Sequence, residues 1–379
     1  MNPFDFDTLT DRRGTSSLKW NKYKGRDIIP LWVADMDFRS PPSVIEALHQ
    51  RIDHGIFGYT HPPEELTETI LRMLDVKYRW KVEHDWLIYL PGLVTGINVA
   101  CRAVGEDGDS VMTNVPIYPP FLSAPEISRR SLITFPLVQV NGRWTFDLEK
   151  LKRAITPNTK LFLFCTPHNP AGRIFTHEEL TELSDICERH DIILCSDEIH
   201  CDLLLDEDKQ HIPTATLSPE VARRSITLMA PSKTYNIPGL GCSFAIISDD
   251  RLRQRFQKVM ARIVPHVNTL GYTAALAAYR DGQKWLDSLL NYLRKNRDIV
   301  TQAINVIPGL SMTHVEATYL AWIDTRQANL DDPMQFFEDI GVGLSDGQDF
   351  GGKGFMRLNF GCSRSLLEEA LNRMKRAME

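Results

Sequence analysis

A chain of 379 residues, 43% hydrophobic and 24% charged, has the composition of a soluble globular enzyme with two domains, or one large domain and a smaller appended one. Its formal charge of −6 argues against a nucleic-acid surface, which needs clustered cations. The acidic start "MNPFDFDTLTDRRG" lacks the basic and apolar parts of a signal peptide, and no apolar run is long enough to span a membrane. A cytoplasmic protein without membrane or nucleic-acid partners is expected.

The first forty residues are mixed, with the apolar segment "IIPLWVADMDF" ending at "RSPP". Pro41 and Pro42 introduce "SVIEALHQRI", a helical pattern that Ser40 or Ser43 could cap. Short apolar runs then alternate with helical stretches to about residue 270. The expected strands are "DSVMTNV", "LITFPLV", "KLFLFCTP", "DIILCSDE", "SITLMA" and "CSFAIIS". The helices between them include "VTGINVACRAV" and "THEELTELSDICERH". Alternation with near-continuous apolar strands predicts an α/β fold, a mostly parallel sheet covered by helices on both faces.

A helical stretch over roughly 268–305 follows, broken only sparsely. The C-terminal part mixes strands ("ATYLAWIDT", "FMRLNFG") with helices ("PMQFFEDIG", "SRSLLEEALNRMKRAM"), as a smaller α+β domain would. The expected division is a large domain over 46–275 and a small one formed by 1–45 and 276–379. The seven cysteines include no CxxC pair and several lie in apolar runs, which predicts free thiols and no zinc or other metal site. The sequence has no G-x-G-x-x-G, because Phe244 stands where the third glycine would be. It also has no Walker loop, no G-x-S-x-G and no H-E-x-x-H.

In open α/β sheets the chemistry gathers at the carboxyl ends of strands. Four expected strand ends here carry polar residues: Tyr118, Asn169, Asp197 with His200, and Ser232 with Lys233. Gly92 and Gly96 in "LPGLVTGINVA" open a helix whose first amides could hold a phosphate. Lys233 stands among small and apolar neighbours in "MAPSKTYNIPGLG", an unusual place for a surface lysine. Taken singly, Asn169-Pro170 is a turn, Asp197 a helix cap and Tyr118 ordinary packing. Together, an amine, a carboxylate, an amide, an aromatic ring and a phosphate cradle match the needs of pyridoxal phosphate.

Seven motifs in one order carry a resemblance over nearly the whole chain: "LWVADMDF" (31–38), "FGYT" (57–60), "PIYPPF" (116–121), "TPHNPAGRIF" (166–175), "SDEIHCDL" (196–203), "SKTYNIPGL" (232–240) and "RLNFGCSRSLL" (357–367). The chain resembles fold-type-I pyridoxal-phosphate enzymes, and within them the MalY/PatB group of cystathionine β-lyases (carbon–sulfur lyases). The resemblance implies an aminotransferase-like fold and the cofactor pyridoxal 5′-phosphate. Lys233 is then the Schiff-base lysine and proton carrier, and Asp197 pairs with the ring nitrogen. Asn169 bonds the phenolic oxygen and Tyr118 lies against the ring. Ser232 and the amides of Leu93 and Val94 take the phosphate, and Arg357 binds the substrate carboxylate. Tyr59 reaches the site from the second subunit of a homodimer.

His200, three residues after Asp197, is shared with the β-lyase group; ordinary aminotransferases carry a tyrosine there. Gly241 stands where they place an arginine in a G-L-R pattern. The implied reaction is β-elimination of cystathionine or other S-substituted cysteines to pyruvate, ammonia and a thiol. The alternatives are an aminotransferase of the same fold, or a lyase that also binds a regulatory protein partner. A role for Asp35 or Asp37 in "ADMDF" is open to a purely structural reading.

Overall fold

The structure, a computed structural model, describes residues 4–379. Eight strands form the large sheet, in the spatial order Leu87–Leu90, Ser243–Ile246, Ser225–Met229, Ile193–Asp197, Thr159–Cys165, Ser110–Val115, Ser131–Val140 and Arg143–Phe146. Five neighbouring strands in the middle are mutually parallel. Ser243–Ile246 runs antiparallel to both its neighbours, and Arg143–Phe146 pairs antiparallel with Ser131–Val140. The central strands read as continuous apolar runs because helices bury both faces. Every residue of Ser225–Met229 is buried, as is every residue of Ser243–Ile246.

All six strands expected in this sheet are present, and so are the helices Leu93–Ala103 and His177–Arg189. The second is fixed at its start by a capping box between Thr176 and Glu179. Leu87–Leu90 and Arg143–Phe146 were not anticipated, since four residues are too few to establish a period.

Three local expectations are corrected. The helix Pro42–Asp53 begins after Pro41 with no side-chain cap. Ser40 instead donates to the Asn236 carbonyl at 3.0 Å, and Ser43 lies inside the first turn. The stretch 268–305 is two helices, Thr269–Asp281 and Gln283–Ile304, parted at Gly282. A Cβ at Gly282 would lie 2.5 Å from the Tyr235 ring, so close packing dictates that residue. Gly96 is likewise a packing residue. It sits inside its helix, and a Cβ there would press on Leu228 and Leu90 at 3.0 and 3.1 Å.

A second sheet holds Ser311–Met312, Leu320–Asp324, Phe355–Asn359 and Ser345–Asp346, all antiparallel. The N-terminal segment joins this part through Ile29–Pro30, which pairs in parallel with Val342–Gly343. One apolar cluster unites Phe6, Leu31 and Met36 with Leu293, Tyr319, Phe337 and Leu371. Asp37 anchors the N-terminal segment electrostatically. It accepts from Lys19 Nζ at 2.7 Å, Arg12 at 2.7 Å and Trp20 Nε1 at 3.0 Å. Burial pushes the Asp37 carboxyl up, but Lys19, Trp20 and Arg12 outweigh it and leave its pKa below the usual value. Lys19 and Asp37 are both fully buried, and removing one partner of such a pair costs about 3–5 kcal/mol. All seven cysteines are buried and unpaired. No helix among the described residues is long and apolar enough to cross a membrane.

Candidate active site

Parallel strands end on one edge of a sheet, and the register brings the predicted residues to that edge. Cys165 stands opposite Asp197, and Asp197 opposite Leu228. The chain beyond these strands therefore delivers Asn169, Asp197 and Lys233 to one place. Leu87–Leu90 runs antiparallel to a strand that is itself antiparallel to Ser225–Met229, and two reversals return its end to the same edge. Gly92 follows, capping the helix Leu93–Ala103 without any side-chain bond. The first amides of that helix, including those of Leu93 and Val94, are left as donors.

Lys233 Nζ donates to the main-chain carbonyl of Ala34, on the segment that crosses from the N-terminal part. Burial draws its pKa down to about 8; Asp35 and Asp197 oppose the shift and Arg357 adds to it. Asp197 is 5% exposed, and its carboxylate accepts from the Ile199 amide at 3.1 Å. Burial pushes this carboxyl up to about 7, against the pull of the Ile199 amide and of Lys233. No ion pair engages Asp197 among the described residues. His200 is buried with its Nδ1 unpartnered, its ring edge-on to Tyr319 at 6.2 Å. Burial, then Lys233 and Arg357, lower its pKa to about 3, so the imidazole is neutral.

Arg357 enters from the second sheet and is 4% exposed. It donates to Asn169 Oδ1 at 3.1 Å, the Trp32 carbonyl at 2.8 Å and Ser345 Oγ at 3.3 Å. The guanidinium lies 4.6 Å from the Phe350 ring centroid, and Nε has no partner. Burial lowers its pKa to about 10. A buried guanidinium with no carboxylate beside it, among the described residues, is an anion seat. Asn169, 5% exposed, spends its oxygen on Arg357 and keeps its NH2 group as a donor.

Tyr118 is half-buried between the two cores of the large sheet. Burial raises its pKa, with Arg357 opposing and Asp197 reinforcing, which places it by both. Ser232 is half-buried next to Lys233. Tyr59 does not join these residues within one chain. It is fully exposed in a segment with exposed Ile56 and Phe57, along a groove lined by Pro265, Val267 and Leu270. Gly241 explains its own departure from the G-L-R pattern. Its φ of +58° is left-handed, and a Cβ would lie 2.8 Å from the Pro91 carbonyl, so an arginine has no room there.

Sequence reasoning missed three participants. The carbonyls of Trp32 and Ala34 receive the two site cations, and Tyr319 donates to the Ala34 carbonyl at 3.0 Å. Main-chain acceptors leave no mark in a sequence. A fourth, Asn236, whose side-chain amide ties Met36 and Phe38 to the turn after Lys233, carried a faint one, an asparagine beside "IPG", the residue type that tolerates a left-handed turn.

The sequence pattern of the aminotransferase class I and II family matches residues 26–374. The chain belongs to that family. Cystathionine beta-lyase PatB of Bacillus subtilis is 38% identical, over 99% of this chain and 100% of its own. The crystal structure of OvoB is 49% identical, with a TM-score of 0.97 and 99% of each chain covered. Cystalysin from Treponema denticola, which contains a pyridoxal 5′-phosphate cofactor, is 35% identical with a TM-score of 0.94, over 99% of this chain and 98% of its own. The aminotransferase-like fold-type-I architecture follows from these matches. The donor set fits that cofactor: an amine whose pKa is drawn well below the usual lysine value, an uncompensated buried carboxylate, an unpartnered imidazole nitrogen and open helix amides.

Proposed function

We propose that this protein is a pyridoxal-phosphate-dependent carbon–sulfur lyase of the cystathionine β-lyase type. The observation that carries the reading is the convergence of the Lys233 amine with the unpaired Asp197 carboxylate and the unpaired Arg357 guanidinium, both close enough for their charges to act on the amine. The naming of PatB as a cystathionine beta-lyase supports the choice of substrate class. So does His200 in the "DEIH" run.

Bound pyridoxal phosphate supplies an electron sink conjugated with the substrate's α-carbon. Lys233 Nζ would hold its aldehyde carbon in the resting enzyme. The free Lys233 amine, with a pKa near 8, is basic enough to take the α-proton and weak enough to be unprotonated part of the time. Asp197 would keep the ring nitrogen protonated, since a buried carboxylate lacking a cation favours a buried N–H⁺ beside it. Asn169 would offer its free NH2 to the phenolic oxygen, and Tyr118 would cover a ring face. The amides of Leu93 and Val94 and the Ser232 hydroxyl would hold the phosphate. Arg357 forks the substrate carboxylate, fixing which α-substituent faces Lys233. The β-carbon–sulfur bond breaks with its electron pair on sulfur. With one water consumed, cystathionine gives homocysteine, pyruvate and ammonia.

Incubation with L-cystathionine alone, no keto acid added, should release pyruvate over many turnovers. Alanine with 2-oxoglutarate should give little glutamate. Rapid glutamate formation with cystathionine left intact would overturn the lyase reading in favour of aminotransfer.

Arg357→Lys should lower kcat/KM about 10- to 100-fold, because an ammonium replaces the two-pronged fork with a point charge. The loss should fall mainly on KM. An unchanged KM would remove Arg357 from the substrate's carboxylate.

The reading includes a homodimer in which Tyr59 enters the neighbour's phosphate region. Exposed Ile56, Phe57 and Tyr59 on one segment, with exposed Val94 at the helix start, support it. Sedimentation at micromolar concentration should give twice the chain mass of 43.3 kDa. A fully active monomer would refute it.

A further inference from the structure

Lys233 is held by an acceptor on another segment, and the distance between the two is set by a residue with no assigned role. Asn236 lies three residues after Lys233 with φ +54°. Its side-chain amide grips the crossing segment at three points. Oδ1 accepts from the Met36 amide at 2.9 Å, and Nδ2 donates to the Met36 carbonyl at 2.9 Å and the Phe38 carbonyl at 2.7 Å. On the far side, Asn359 Nδ2 donates to the carbonyls of Val33 and Asp35 at 2.6 and 2.7 Å, bracketing Ala34. The Ala34 carbonyl so placed accepts from both Tyr319 and Lys233.

We propose that Asn236 is the positioning residue for Lys233: by clamping residues 36–38 to the lysine's own turn, it keeps the Ala34 carbonyl on the amine and fixes where the amine's lone pair points. This rests on Lys233 being the acting amine. A neutral amine has two N–H groups and one lone pair, so donation of one N–H to a fixed carbonyl leaves the lone pair only two directions. The same carbonyl favours the ammonium form and opposes the effect of burial. The charged groups facing the amine are Asp35 on the crossing segment, Arg357 on the second sheet and Asp197 at the strand end; His200 faces it uncharged. The clamp governs how Asp35 and the carbonyl stand among them.

The test is competitive acylation of Lys233 by acetic anhydride against pH in the cofactor-free full chain, read by peptide mass spectrometry, alongside kcat and KM with cystathionine. Asn236→Gly suits the left-handed backbone and removes only the clamp. Its Lys233 midpoint should fall by about half to one pH unit, and kcat about 10-fold with KM nearly unchanged. Ser40→Ala, which loses a bond only to the Asn236 main chain, should match wild type on both. Pyridoxal phosphate should protect wild-type Lys233 from acylation, and no protection would sink the reading of Lys233 itself. Protection with an Asn236→Gly midpoint and kcat equal to wild type, only the melting temperature being lower, would make Asn236 merely structural and overturn the proposal. An equal fall in Ser40→Ala would overturn it too, because any loosening of the segment would then suffice.

Discussion

Lys233→Ala is expected to give a folded protein that gains no covalent mass when treated with pyridoxal phosphate and borohydride, with turnover lower by on the order of 10⁵-fold. One substitution removes the group that holds the aldehyde and the base that takes the α-proton, and groups acting as a unit fail together. Folding should survive. The amine is a buried base whose pKa lies below its usual value, so its ammonium costs stability at neutral pH, and Tyr319 remains on the Ala34 carbonyl. Wild type should show a visible band that borohydride abolishes, with the mass gain located on the peptide carrying Lys233. Near-normal turnover by the alanine variant with cofactor present would end the assignment.

Asp197→Asn carries the second large effect. The asparagine keeps the shape and loses the charge that holds the ring nitrogen protonated. Exchange of the substrate α-proton should slow at least about 10³-fold, while substrate affinity changes little, because the pyridinium is needed chiefly as charge develops in the transition state. A thermal measurement checks the same carboxyl without any reaction. With a folded pKa near 7 against an ordinary 3.8, Asp197 binds its proton more tightly folded than unfolded. Its contribution to stability is therefore present below about pH 4 and is lost as pH rises through 7. Lys233 adds no slope there, since its range lies between about 8 and 10.5. The cofactor-free wild type should lose melting temperature from pH 5 to 7.5 relative to Asp197→Asn. Parallel curves would show that the Asp197 carboxyl is not a strained buried acid.

The helix starts show where local reading fails. Thr176 caps as its spacing with Glu179 requires, yet Ser40 gives its hydroxyl to Asn236, 196 residues away. A serine before a helix has both choices, and only packing selects. Gly92 and Gly96 look alike in "LPGLVTG", but the first ends a turn at the helix mouth and the second makes room for Leu228.

By itself the sequence determined the parallel sheet, the strand ends that bear Asn169, Asp197 and Lys233, and the cofactor those groups imply. Buried strands write continuous apolar runs, and chemistry follows directly after them. Tertiary structure alone decided that Arg357 finds Asn169 across 188 residues and that Ala34 receives Lys233 across 199. Such meetings join distant segments through a side-chain amide or a main-chain carbonyl, which imposes no period on the chain, so nothing short of the folded arrangement could place them.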